Sequence, residues 1–171
     1  MGRPLSADAV AERLRARFGG GVDVADQHGH SVATVPADRW REIVRFLRDE
    51  PEFACDFCEF VSGVDYGAER GFEVVGHFYS TEHHHNVRLK TALPHDEPVL
   101  ASVADIYATC DWHERETQEM FGIRFEGHPQ PVKLLLAEPF EGFPLRKDFP
   151  LMSREVKPWP GAVEGEEDED E

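Results

Sequence analysis

The chain predicts an α+β domain: a two-layer sandwich with helices over one face of a largely antiparallel sheet, followed by an irregular C-terminal extension. Three observations carry this prediction. Apolar residues recur at helical spacing in two early segments, Val10, Leu14 and Phe18, then Trp40, Ile43, Val44 and Leu47. Later segments alternate apolar and polar residues with a period of two, the signature of strands with one buried face. The loops between those segments are short, which favours antiparallel neighbours.

In order, residues 6–18 form a first helix, and Gly19 supplies its left-handed stop. Residues 22–27 and 30–35 read as two strands joined at His28-Gly29. A second helix runs from Trp40, and Pro51 ends it. Strands follow at 57–64, 72–79 and 87–93, with hairpin loops at 66–71 and 81–85. The order is α-β-β-α-β-β-β. Ser102 and Asp105 resemble the start of a helix, with Val103, Ile106, Tyr107 and Cys110 on its buried face. Asp111 and Glu114 repeat that signal, so 112–121 should be a short helix stopped by Gly122. Residues 132–137 could add one more strand. Beyond them, Pro139, Pro144, Pro150, Pro158 and Pro160 leave no room for regular structure. The expected organisation is a domain over 1–137, an extended docking arm over 138–160 and a disordered acidic tail over 161–171.

Composition excludes several functions. The formal net charge is −16, and removing the seven acidic residues of 164–171 still leaves −9. No cluster of Lys and Arg offers a nucleic-acid surface, and the same sign opposes unaided docking onto anionic lipid. No apolar run is long enough to span a membrane, and the N-terminus lacks a signal-peptide core. Three cysteines without framework spacing suggest a reducing compartment. Gly19-Gly20-Gly21 is not followed by the Lys-Ser/Thr of a phosphate loop, and no dinucleotide or nucleophile-elbow motif occurs.

Cys55-x-x-Cys58 supplies two of the four ligands that a closed zinc site needs. Cys110 and His83–His85 could complete a set, but a spacing of three on a strand sends the two thiols to opposite faces unless a turn intervenes. Small buried side chains and a solvated histidine loop are the expectation, with no metal site and no catalytic residue.

The charged run around Glu114, Arg115, Glu116 and Glu119 has two readings. It could be a solvated helix face whose ion pairs, Asp111–Arg115 and Arg115–Glu119, are worth a few tenths of a kcal/mol. Alternatively, Arg115 is clamped between carboxylates and orders the junction where the arm begins. The arm itself carries Phe140, Phe143, Leu145, Phe149, Leu151, Met152 and Trp159. A small domain whose sheet is already covered cannot bury them all. Arg146-Lys147-Asp148 interrupts them, and large apolar residues around an Arg are typical interface anchors. The residues alone therefore point to an assembly subunit with a docking arm.

The runs E-R-E-T-Q-E-M-F (114–121), G-I-R-F-E-G-H-P (122–129) and E-G-F-P-L-R-K-D-F-P-L (141–151) resemble the 30 kDa subunit of respiratory complex I, the proton-pumping NADH:quinone oxidoreductase. The chain departs from that pattern at Val132-Lys133, which keeps one charge of a basic pair, and at Phe143, where the family usually has His. The resemblance implies a peripheral, non-catalytic subunit in the hydrophilic arm on the cytoplasmic side of the membrane. Its partners would be the quinone-site (49 kDa-type) subunit and the subunit holding the terminal iron–sulfur cluster. FMN, iron–sulfur clusters and quinone would belong to the complex, with no cofactor on this chain. The equivalent subunit of a membrane-bound hydrogenase, or of a quinone reductase fed by ferredoxin or deazaflavin, is the alternative within the family. Outside it stand a metal-dependent enzyme built on Cys55, Cys58 and His83–His85, and a free-standing binding module.

Overall fold

Helical and strand periodicities sort the chain into the expected layers. The computed structural model describes residues 4–150. Helix α1 (Ala7–Phe18) begins where the Ser6 hydroxyl accepts the Ala9 N–H at 3.3 Å, and it ends at Gly19 with φ 74°. Strands β1 (Asp23–Gln27) and β2 (His30–Thr34) form a hairpin through His28 and Gly29, at φ 56° and 81°. Two consecutive positive φ angles match the right-handed twist of the strands. After a single 3-10 turn (Ala37–Arg39), helix α2 (Trp40–Asp49) buries Trp40, Ile43, Val44 and Leu47 completely. Strands β3 (Phe57–Asp65), β4 (Phe72–Tyr79) and β5 (Asn86–Leu93) make an antiparallel meander.

The sheet order is β1-β2-β5-β4-β3, with one parallel pairing, β2 beside β5. The meander leaves one edge of β5 free, and the N-terminal hairpin completes that edge. The helices lie over the face that carries Val61, Val74, Phe78, Val87 and Leu89, all buried. The two-layer α+β reading therefore stands, with strand order set by a crossover rather than by sequence neighbours alone.

Beyond the sheet, helix α3 (Cys110–Phe121) is flanked by two short strands, β6 (Val99–Ala101) and β7 (Arg124–Glu126), which pair in parallel. The helix sits against β3 at Gly63. A Cβ there would lie 2.9 Å from the Phe121 ring and 3.2 Å from the Thr117 methyl. Only a residue without a side chain allows this approach.

Two local expectations give way. The stretch 102–109 is a chain of turns and not a helix, although Val103, Ile106 and Tyr107 are buried as expected. Its cap residues are engaged elsewhere. Ser102 donates its hydroxyl to Glu114, and Asp105 pairs with Arg41 at 2.6 Å. Arg41 and Arg48 also donate to the Ser102 and Ile106 carbonyls, so helix α2 grips this stretch by its backbone. Helix α3 accordingly starts at Cys110, after Thr109, and Asp111 falls in its first turn instead of capping it. Residues 132–137 form no strand.

Gly63→Ala is expected to destabilise the full chain by about 2 kcal/mol, the scale of an overpacked contact. Gly20→Ala, which meets no atom within 4 Å, serves as the control. Urea midpoints of the two variants make the comparison, and equal midpoints would contradict a tight α3–β3 contact.

Candidate functional site

Helix α3 presents its charged residues to three different neighbours. Arg115 and Glu119 are four residues apart and so share a face. That face meets the segment after His128, and the two side chains divide its backbone by sign. Arg115 donates from Nε to the Val132 carbonyl at 2.9 Å and from Nη2 to the Lys133 carbonyl at 3.1 Å. Glu119 accepts the N–H groups of Leu134, Leu135 and Leu136 at 2.8–2.9 Å. This explains why 132–137 is not a strand. Its peptide groups are satisfied by helix side chains, with no need of a sheet edge. Burial pushes the Glu119 carboxyl up, but the three amides and Lys133 outweigh it and hold the group below its ordinary value.

Arg115 is therefore not clamped between Asp111 and Glu119. Its Nη1 lies 3.7 Å from Asp111, and its stronger partners are carbonyls. Glu116 is exposed on the next face.

Glu114 points inward and is fully buried. Its carboxylate accepts the Ser102 hydroxyl and, at 2.7 Å, the Val103 N–H, which ties the turns of 102–109 to the helix. Burial raises its pKa to about 7, against the pull of those two hydrogen bonds and of Arg41. His128 lies beside it: Nε2 is 3.9 Å from Glu114 and 3.0 Å from the Asp111 carbonyl. The Gln130 N–H donates to His128 Nδ1, which leaves Nε2 as the donor. The sequence marks neither Ser102 nor His128 as a neighbour of Glu114. The spacing from Ser102 to Glu114 follows no local motif, because the pair meets across a tertiary contact.

The arm folds back onto the domain at the end of α3. The Leu145 N–H donates to the Met120 carbonyl at 3.1 Å, and Arg146 Nε donates to the Phe121 carbonyl at 2.7 Å. The Arg146 guanidinium also lies over the rings of Phe72 and Phe143, at 4.9 and 5.0 Å. The Lys147 N–H reaches Asp65 at 2.7 Å, and Asp148 faces His95 at 3.8 Å. Phe143 covers Gly122, and the Phe140 and Phe149 rings stack at 5.9 Å. The described arm is thus partly satisfied by its own domain, while Phe140, Phe143 and Leu145 keep exposed faces. Trp159, with Leu151 and Met152, lies outside the described residues.

An apolar groove of about 500 Å³ runs alongside α3, between Ala108, Trp112, His113, Glu116, Leu134 and Leu135. Trp112 is 65% and Leu135 59% exposed. The groove exists because Arg115 and Glu119 hold the loop that forms its second wall.

The cysteines and histidines assemble differently from the sets that their spacing suggests. Cys55 precedes β3, after Ala54 at φ 41°, so strand alternation does not separate it from Cys58, and both thiols are buried. Burial pushes the Cys55 thiol up to about 12. Cys58 Sγ lies 3.4 Å from Cys110 Sγ. His83 and His84 bond the Pro51 carbonyl and the Tyr79 hydroxyl, while His85 is buried. Among the described residues, the group that gathers three potential ligands is Cys58, Cys110 and His113.

The Glu114 pKa sets a pH dependence. The group protonates more readily folded, near 7, than at its ordinary 4.5. Its favourable contribution is present below about 4.5 and is lost as pH rises through 7. Glu114→Gln, permanently neutral, should match the parent at about pH 4, below the ordinary value of the group. It should gain on the order of 2 kcal/mol over the parent at pH 8, read from denaturant midpoints. A difference independent of pH would refute this. Separately, Glu119→Gln should speed hydrogen exchange at the amides of Leu134, Leu135 and Leu136 by about 10-fold or more. Unchanged exchange would mean that the loop is held by something else.

Comparison with known proteins places the chain in a family. Residues 33–155 match the family described as the respiratory-chain NADH dehydrogenase 30 kDa subunit. The chain is 42% identical over 154 residues to a C-type subunit of the NADH-quinone oxidoreductase of Rhizobium etli, covering 89% of this chain and 82% of that one. It is 41% identical over 165 residues to the corresponding C-type subunit of Rhizobium meliloti, covering 95% and 88%. Among solved structures, a trypsin-resistant fragment of Nqo5 superposes with a TM-score of 0.60 at 25% identity, over 72% of this chain and 97% of the fragment. A chain of an archaeal membrane-bound sulfane sulfur reductase superposes at 0.67 with 22% identity, over 85% and 86%, a likeness of fold. The chain, with its charged helix and the two loops which that helix braces, belongs to the 30 kDa subunit family of the respiratory-chain NADH dehydrogenase, complex I.

Proposed function

We propose that this chain is a non-catalytic structural subunit in the hydrophilic arm of a proton-translocating NADH:quinone oxidoreductase, on the cytoplasmic side of the membrane. Electron transfer from NADH to quinone then belongs to the complex, through FMN and iron–sulfur clusters held by other subunits. The partners are the quinone-site (49 kDa-type) subunit and the subunit of the terminal cluster. The observation that carries this reading is the exposed groove of Trp112 and Leu135 on a braced loop. Exposed large side chains beside fixed walls suit a permanent protein contact. Glu114, Arg115 and Glu119 of α3 are committed to backbone groups of their own chain, which suits scaffolding better than proton transfer.

Among the described residues no helix is long and apolar enough to cross a membrane. Attachment through partner subunits fits that observation. The equivalent subunit of a hydrogenase, or of a quinone reductase fed by ferredoxin or deazaflavin, is distinguished by the donor that the purified complex oxidises.

Trp112→Ala tests the reading in the assembled complex. Incorporation should weaken by roughly 10-fold or more, the scale of a lost aromatic anchor, while the variant chain keeps its fold by circular dichroism. Co-migration of the variant with undiminished NADH–quinone reductase activity would overturn it.

A further inference from the structure

We propose that Cys58, Cys110 and His113 form a binding site for one divalent thiophilic cation of the zinc class, joining strand β3 to the first turn of helix α3. The site is read on the free full chain, because His113 borders the same groove that is given above to a partner subunit.

The two sulfurs are 3.4 Å apart, and the three ligand atoms all lie within 4.8 Å of one another. Around a tetrahedral zinc, sulfurs at ~2.3 Å and a nitrogen at ~2.0 Å stand ~3.5–4 Å from each other. Small side-chain adjustments reach that arrangement, whereas a disulfide requires the sulfurs to close to ~2.05 Å. Cys110 and His113 are three residues apart on α3 and so share a face. His113 Nδ1 is buried without a hydrogen-bond partner, and a cation would engage it.

Charge selects the class of ion. Two thiolates and a neutral imidazole cancel a divalent cation, and a neutral group suits the interior. A monovalent cation would leave a net negative charge next to buried Glu114. Binding displaces two protons, one from each thiol, and the cation bonds to both sulfurs and to one ring nitrogen. His113 also borders the groove beside Trp112 and Glu116, which gives the cation an entry path and a water molecule the fourth position.

Co2+ serves as the probe, added to the reduced full chain. One equivalent should give thiolate-to-cobalt charge transfer and the ligand-field bands of a tetrahedral site. Zn2+ should displace it. Cys58→Ser and Cys110→Ser should abolish the signal, and His113→Ala should weaken binding by about 10-fold or more. Cys55→Ser and His84→Ala should leave it intact. If a cysteine variant fails to fold, Zn2+ protection of Cys58 and Cys110 from alkylation in the parent, read by mass spectrometry, decides instead. The proposal falls if no thiolate band appears, if the band survives loss of either cysteine, or if His84→Ala removes it. A Cys58–Cys110 disulfide that persists in reductant, without bound cation, also overturns it.

Discussion

Peptide groups that leave a sheet or helix still need hydrogen-bond partners, and in the second half of this protein helix α3 supplies them. Glu114 takes an amide of the turns before the helix. Arg115 takes two carbonyls of the loop after it, and Glu119 takes the next three amides. The last carbonyls of the helix, which have no partner inside it, are met by Leu145 and Arg146 of the arm. One twelve-residue helix thus organises three irregular segments. The close approach at Gly63 fixes where that helix can stand.

The same logic separates the arginines of an acidic protein into two kinds. Arg15 and Arg39 meet exposed carboxylates, contacts that contribute little in water. Arg41, Arg48, Arg115 and Arg146 each end on a backbone carbonyl. They stand where chain without regular structure must be held against regular structure, and the planar fork of donors lets Arg41 add Asp105 and Arg146 add the Phe72 and Phe143 rings to the same grip.

Legibility follows the range of the interactions. Periodicity exposes both N-terminal helices and the three strands of the meander, because each buries one face of a regular element, while β1 and β2 are marked by the His28-Gly29 turn, and Gly19 and Gly122 mark helix ends through their positive φ. The turns at 102–109 and the loop at 132–137 depart from expectation for one reason. Local patterns there resemble a helix and a strand, but Ser102 and Asp105 are claimed by Glu114 and Arg41, and the loop amides by Glu119. Glu114 reads as one more charge on a solvated face, and nothing near it in the chain says that it is buried. The E-R-E run is visible in the sequence as a junction, while its bonding depends on neighbours that only the fold brings close.

The parallel pairing of β2 with β5 has a consequence in time. Ser31 pairs with Val87, whereas the strands of the meander meet across short turns. Contacts close in the chain form readily, and those separated by a long loop wait for it to close. On a growing chain the first hairpin emerges well before the strand it needs. The β2 edge that meets β5 therefore stays open until β3, β4 and β5 have been made, and during that interval it can pair with any strand it meets. The hairpin is an early piece of the protein that has to be kept unspent until the sheet is ready for it.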